Sequence, residues 1–325
     1  MKKVLTGVLG IVLLLGAGVL YVVQARGGGP AVNARPVMSG QMAIAPGNLY
    51  FRNLASGPDE GKLAVVPAGD PSGARQVGEL RCDRFATARS TSICLRLKPG
   101  SLPPFTEMLV LGPDLKVKHQ ETLPGTPSRA RVSPDGNIVN WTVFVTGDSY
   151  SATGFSTRTG LYDLRSTTLL KSIEELPVFV DGKRYFASDI NYWGITFAAD
   201  GNTFYVTMGS KGKTYLIKAD YHGYRGNAVA QNVECPSLSP DGRRVAYKQK
   251  TADGSWRLAV LDLTSHQVTH PAETRPIDDQ PLWRDNGTVL YALHHNTTSD
   301  IWSVPANSTG TPTLLVPDAS SPASV

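Results

Sequence analysis

The chain has 325 residues, of which 41% are hydrophobic and 18% charged, with a formal net charge of +5 and a pI near 9.0. A chain of this length buries a substantial core as one repeat-built domain or two ordinary ones. Lysines and arginines are scattered in runs no longer than two, which argues against the concentrated basic face of a nucleic-acid-binding protein, and no nucleic-acid partner is expected.

Lys2 and Lys3 precede an uncharged stretch from Val4 to Val23, long enough to cross a bilayer as a helix with the lysines held on the cytoplasmic side. Val23-Gln24-Ala25 also has the small-residue form of a signal-peptidase site, so a retained anchor and a removed signal peptide both stand over residues 1–25. The anchor is the better fit to the length. Either way the chain is exported: membrane-anchored with an extracytoplasmic domain, or secreted if cleaved after Ala25. No Cys follows the stretch, which excludes a lipid anchor. Residues 26–46, rich in Gly, Pro, Ala and Asn, read as a flexible tether.

Export sets the reading of the cysteines. Cys82 and Cys94 are symmetric about Ala88, in an Ala88-Arg89-Ser90 turn, and are expected to form a cross-strand disulfide. Cys235 remains, without a neighbouring His or cationic pair in sequence, and reads as a small buried thiol.

From there the chain repeats a strand, turn and strand. In "LSPDGRRVAY" Pro240 presets the φ of the second turn position and Gly242 takes the positive φ after Asp241. The same turn recurs at Asp135-Gly136, Asp200-Gly201 and Asn286-Gly287. Three positions earlier stand Val132, Phe197, Leu238 and Trp283, all apolar, as one repeated structural slot requires. An alternating apolar strand begins at residues 62, 107, 160, 214, 257 and 300. Six copies at this period predict six blades of four antiparallel strands, the hairpin as the inner pair and the alternating run as the third strand. "TLLVP" at 313–317 reads as a fourth strand. "TTLLKSIEEL" is the nearest approach to helical periodicity, with outer-strand material an equal reading. The fold class is therefore all-β: a six-bladed β-propeller over residues 47–317, preceded by an N-terminal hydrophobic helix and followed by a tail at 318–325. "TGDSYSATGFSTRTG" and "EELPVFVDGKRYFASDINYW" are insertions.

The form apolar-x-Ser-Pro-Asp-Gly, then an alternating strand, best seen in "LSPDGRRVAYKQKTADGSWRLAVLDL" and next in "VSPDGNIVNWTVF", resembles the WD40-like repeats of the TolB propeller family. With its signal-like start the whole chain is similar to exported TolB-like translocation proteins of actinobacteria. The resemblance covers all six blades, although the first two lack a clear Asp-Gly turn. TolB proper carries a separate N-terminal α/β domain that engages its envelope partner; a tether occupies that place here.

Candidate chemistry is sparse. Gly147-Asp148-Ser149 lacks the strand-to-helix context of a hydrolase nucleophile, and no Gly-x-Ser-x-Gly occurs. His294-His295 on a strand point to opposite faces, so they do not share one ion. "GSKGKT" lacks the order of a phosphate loop and reads as a hairpin turn. No metal or cofactor is expected. Seven positions before the turn residue stand Ser128, Trp193, Glu234 and Asp279, with Arg129, Tyr192, Asp278 and Gln280 beside them. By shared register these eight are expected to ring the mouth of the central channel, where a peptide or polar ligand would bind. The expected function is a non-catalytic, monomeric scaffold binding an envelope protein or peptide; the alternative is a propeller lyase or lactonase acting on a wall-derived sugar.

Overall fold

The computed structural model describes residues 37–39, 42–145 and 156–325. Residues 4–23 and the Gly147-Asp148-Ser149 motif lie outside the described residues. Among those described there is no α-helix and no helix long and apolar enough to cross a membrane.

Six sheets, each with four antiparallel strands counted outward from the axis, follow one another around it. The third strands of the six blades are Lys62–Pro67, Phe105–Leu111, Ser156–Asp163, Lys213–Asp220, Trp256–Asp262 and Thr298–Pro305. Each lies third from the axis, where the alternating runs were expected. "TTLLKSIEEL" supplies the outer strand Thr168–Leu170 of blade three, and "TLLVP" the outer strand Thr313–Val316 of blade six.

Period-two alternation loads both faces of each blade, so the core is divided among the blade interfaces. In blade one, Leu63 and Val65 join Phe85 and Leu109 of blade two, whereas the intervening Ala64 and Val66 join Leu290 and Ile301 of blade six. Comparable clusters fill the other four interfaces.

The Ser-Pro-Asp-Gly turns share one bonding pattern. Gly136 N donates to Ser133 O and Gly242 N to Ser239 O, each at 2.8 Å. Ser133 Oγ and Ser239 Oγ donate to the carboxylates of Asp135 and Asp241. Gly136, Gly201 and Gly242 have φ of 78°, 69° and 70°. Gly287 differs: it is not at positive φ, and its N–H is held by Asp285 Oδ1 at 2.7 Å.

Four expectations require correction. Residues 318–325 are no tail, because Ala319–Ser324 pairs antiparallel with Asn48–Asn53 as the innermost strand of blade one. Blade one thus joins the two ends of the propeller, and its inner pair has no connecting turn to carry an Asp-Gly. Second, the tether is partly built into the fold: Val37–Ser39 adds a parallel strand to the edge of blade one, Met42 is buried, and the Tyr50 hydroxyl donates to Ala43 O and accepts from Ala45 N, both at 2.8 Å. Third, the Cys82–Cys94 disulfide forms, with Cα atoms 5.4 Å apart, but not across a strand pair. Phe85 stands opposite Cys94, and Cys82 lies in the connection between blades one and two, its N–H on Gly61 O. Fourth, blade four has six strands, because the insertion at 174–193 contributes Val178–Val180 and Lys183–Arg184 at its outer edge.

Candidate functional site

The innermost strands are Arg84–Ala88, Thr126–Val132, Asn191–Phe197, Glu234–Leu238, Leu282–Trp283 and Ala319–Ser324. Pairing to the next strand slips near the start of the strands in blades three, four and five, and such bulges re-aim side chains at a sheet edge. In blades four and five the slip falls at Gly194 and Cys235, both at positive φ. A Cβ on Gly194 would lie 2.8 Å from the Cα of Cys235, so the inner strands of these blades meet almost backbone to backbone.

A cavity of about 480 Å³ opens at this strand-start end. Ser128, Arg129, Trp193, Glu234 and Asp278 line it. The other three expected ring members lie elsewhere. Tyr192 is 1% exposed in the core between blades three and four, its carbonyl accepting from Thr157 Oγ1 and Thr159 Oγ1. Gln280 is a clamp: its Nε2 donates to Ile195 O at 3.1 Å and Pro236 O at 2.8 Å, tying blades four and five to the loop entering blade six. Asp279 is buried beside Arg84, 3.7 Å from its Nη1, and lines an adjoining cavity. The alternation of side chains along a strand separates Tyr192 from Trp193 in this way.

Register alone missed several lining residues: Arg84, Phe144, Thr157, Cys235, Lys248, Trp256 and His294. Lys248 had a signal, since it stands directly opposite Glu234 in the hairpin of blade five. The Lys248 side chain is only 4% exposed, bonded through Nζ to Asp278 Oδ1, and Nζ sits 4.3 Å from the centre of the Trp256 ring, a cation–π contact. Burial raises the Asp278 pKa, but the Lys248 and Arg129 charges outweigh it and hold the carboxyl below its usual value. Trp193 lies flat over Gly209, where a Cβ would come within 2.7 Å of the indole. His294 Nδ1 bonds Ser299 Oγ at 2.6 Å and His295 Nε2 meets Asp300 at 2.8 Å; only His294 lines the cavity. Deeper in the channel Arg131 reaches across to Pro281 O at 2.6 Å. Burial pushes Arg131 down to about 10, with Asp279 opposing and the like charge of Arg129 adding to the shift.

At the other end the blade turns surround a second cavity of about 520 Å³, lined by Arg89, Pro134, Ala199, Pro240, Asp241 and Val325 among others. Among the described residues no group of three or more His, Cys, Asp or Glu is placed to hold a metal ion. The strand-start cavity presents aromatic faces, cations and one exposed carboxylate.

No protein-family model matches the sequence, and no curated protein does. Among solved structures, TolB from Acinetobacter baumannii aligns over 85% of this chain and 66% of its own, with 15% identity and a TM-score of 0.57. This chain thus spans just under two thirds of that protein's length. A TolB from Agrobacterium tumefaciens aligns over 82% of this chain and 87% of its own, with 10% identity and a TM-score of 0.49. A chain of a nidogen/laminin complex aligns over 85% and 97%, with 11% identity and a TM-score of 0.52. At these identities the likeness is one of architecture, and in architecture this chain is a TolB-like six-bladed β-propeller.

Proposed function

We propose that the chain is a non-catalytic binding scaffold of the cell envelope, held on the outer side of the cytoplasmic membrane, and that its strand-start cavity receives a segment of a protein or peptide. The observation that carries the reading is the make-up of that cavity: Trp193 and Trp256 beside Arg129, Lys248 and Asp278. Aromatic and arginine side chains in a concave, partly desolvated site are the usual energetic centres of protein recognition. The extracytoplasmic placement draws support from the uncharged stretch at 4–23 and from the Cys82–Cys94 bond, which suits an oxidising compartment.

The test is crosslinking of the full-length protein in its native envelope, with co-purified species compared between wild type and a Trp193→Ala, Trp256→Ala variant of unchanged melting. Loss of two aromatic anchors is expected to weaken capture by ~2 kcal/mol or more, a fall of roughly thirtyfold. A partner held equally well by the variant places the interface elsewhere. If the wild type captures none, the scaffold reading fails.

A further inference from the structure

Three cations, Arg84, Lys248 and Arg129, line the strand-start cavity against two carboxylates, Glu234 and Asp278; Arg129 sits among them on an innermost strand. This side chain is 7% exposed. Its Nη1 donates to Ser128 O at 2.9 Å, and its Nη2 stands 3.8 Å from Asp278 Oδ1, beyond hydrogen-bond distance. Nε is buried without a hydrogen-bond partner, and besides Ser128, Asp278 and Asp279 the guanidinium is supported by the Cys235 thiol, a weak acceptor. The Asp278 carboxylate that could have answered it is engaged by Lys248. The indole N–H of Trp256, also buried, has no partner either. A buried guanidinium normally finds a carboxylate for its planar fork. Arg84 on the neighbouring innermost strand also lines the cavity, and burial holds its pKa below the usual guanidinium value despite Asp279. Arg129 Nη2 and Arg84 Nη1 thus each stand near a carboxylate, 3.8 Å from Asp278 and 3.7 Å from Asp279, without reaching hydrogen-bond distance, and guanidinium donors so placed in a cavity lining mark the chemistry of what fills it.

We infer that this cavity binds a carboxylate, carried by an acidic or C-terminal residue of a peptide, with the Arg129 guanidinium as its clamp and Arg84 supplying the second positive charge. The peptide source rests on the scaffold reading above; the carboxylate chemistry does not. Besides Asp278, which is held by Lys248, a second acid lines the same cavity: Glu234, directly across the ladder from Lys248. Its charge disfavours a doubly charged anion and leaves a single carboxylate as the better match. Trp193 and Trp256 provide apolar faces for the peptide atoms around that group.

The full-length protein is titrated with a pool of hexapeptides blocked at both ends, each made with Glu or Gln at one position, and with the same pool bearing a free C-terminal carboxylate. Acetate and succinate at constant ionic strength form a separate arm, with tryptophan fluorescence as the readout. Carboxylate peptides are expected to bind at least about tenfold more tightly than their amide counterparts. Arg129→Gln should erase that preference and Arg129→Lys should keep part of it, because a point charge replaces the fork. Arg129 is the informative position because Asp278 keeps Lys248 when the guanidinium is gone, and melting curves check both variants. Peptides that bind equally as acid and amide overturn the carboxylate inference while leaving the scaffold intact. A response to free carboxylates alone, abolished by Arg129→Gln, upholds the anion site and removes the peptide. Silence in every arm overturns both.

Discussion

Asp135 and Asp241 occupy equivalent turns and titrate in the same direction. For Asp135, burial raises the carboxyl, but hydrogen bonds from Ser133 and Asn137 prevail and leave it below its usual value. For Asp241 the Ser239 hydroxyl is the leading cause of the same shift. Carboxyls with depressed folded-state pKa values contribute stability that is complete above the ordinary carboxylate range and lost as pH falls through the folded values. Stability in urea should therefore decline below about pH 4, and Asp135→Asn should make the decline shallower; an acid limb unaltered in the variant would show that the turn carboxylates take no part. Two glycines separate strain from collision. Gly242, at φ 70° with no atom within 4 Å of a built Cβ, should tolerate Ala at a cost of ~1–2 kcal/mol from the left-handed backbone alone. Gly194, at φ 67° and against the Cys235 backbone, should lose ~3 kcal/mol or more on change to Ala, since a collision adds to the strain. Urea titration of both variants checks the order.

Strands and connections show how local pattern becomes a ring. An alternating run such as Lys62–Pro67 has only one way to bury both its faces, which is between two neighbouring blades. Connections are less legible. The Cys82–Cys94 bond, with a sequence separation of 12, ties the link between blades one and two to the second strand of blade two. Closing a loop of that length stabilises by about 3 kcal/mol through the unfolded chain. Cys82→Ala, Cys94→Ala should lose about that much in denaturant, and both thiols of the oxidised wild type should resist alkylation until reduced. Equal stability of the double variant would mean that the hairpin positions this connection unaided.

The ring as a whole depends on its last strand. Ala319–Ser324 pairs with Asn48–Asn53, Ser321 Oγ accepts from Phe85 N at 3.0 Å, and Ala319 and Ala323 enter the cores on opposite sides of blade one. Arg75 reinforces the closure through Asn53 Oδ1 and Pro317 O. Removing residues 319–325 should expose the edge of Asn48–Asn53 and two interblade cores at once, replacing one cooperative thermal transition by a lower, broader one with self-association. A truncated chain that melts as sharply and as high as the full one would mean that the ring holds without its clasp.

Blade number, the third strands and most inner turns are legible in the chain because each depends on residues a few positions apart: an alternating run, or a proline, aspartate and glycine in fixed order. The clasp is not. Ala319–Ser324 reads ASSPAS, small residues suited to the crowded axis, which carry no apolar alternation although the first five are buried. The cavity divides in the same way. Shared register brought Ser128, Arg129, Trp193, Glu234 and Asp278 to one mouth, yet placed Tyr192, Asp279 and Gln280 with them although each turns into packing or an ion pair. The pairing of Lys248 with Asp278, which leaves Arg129 without a carboxylate within hydrogen-bond distance, spans a separation of 30 residues. Contacts of this kind exist only once the blades have closed, because the free energy that selects them is packing and charge between strands distant in sequence.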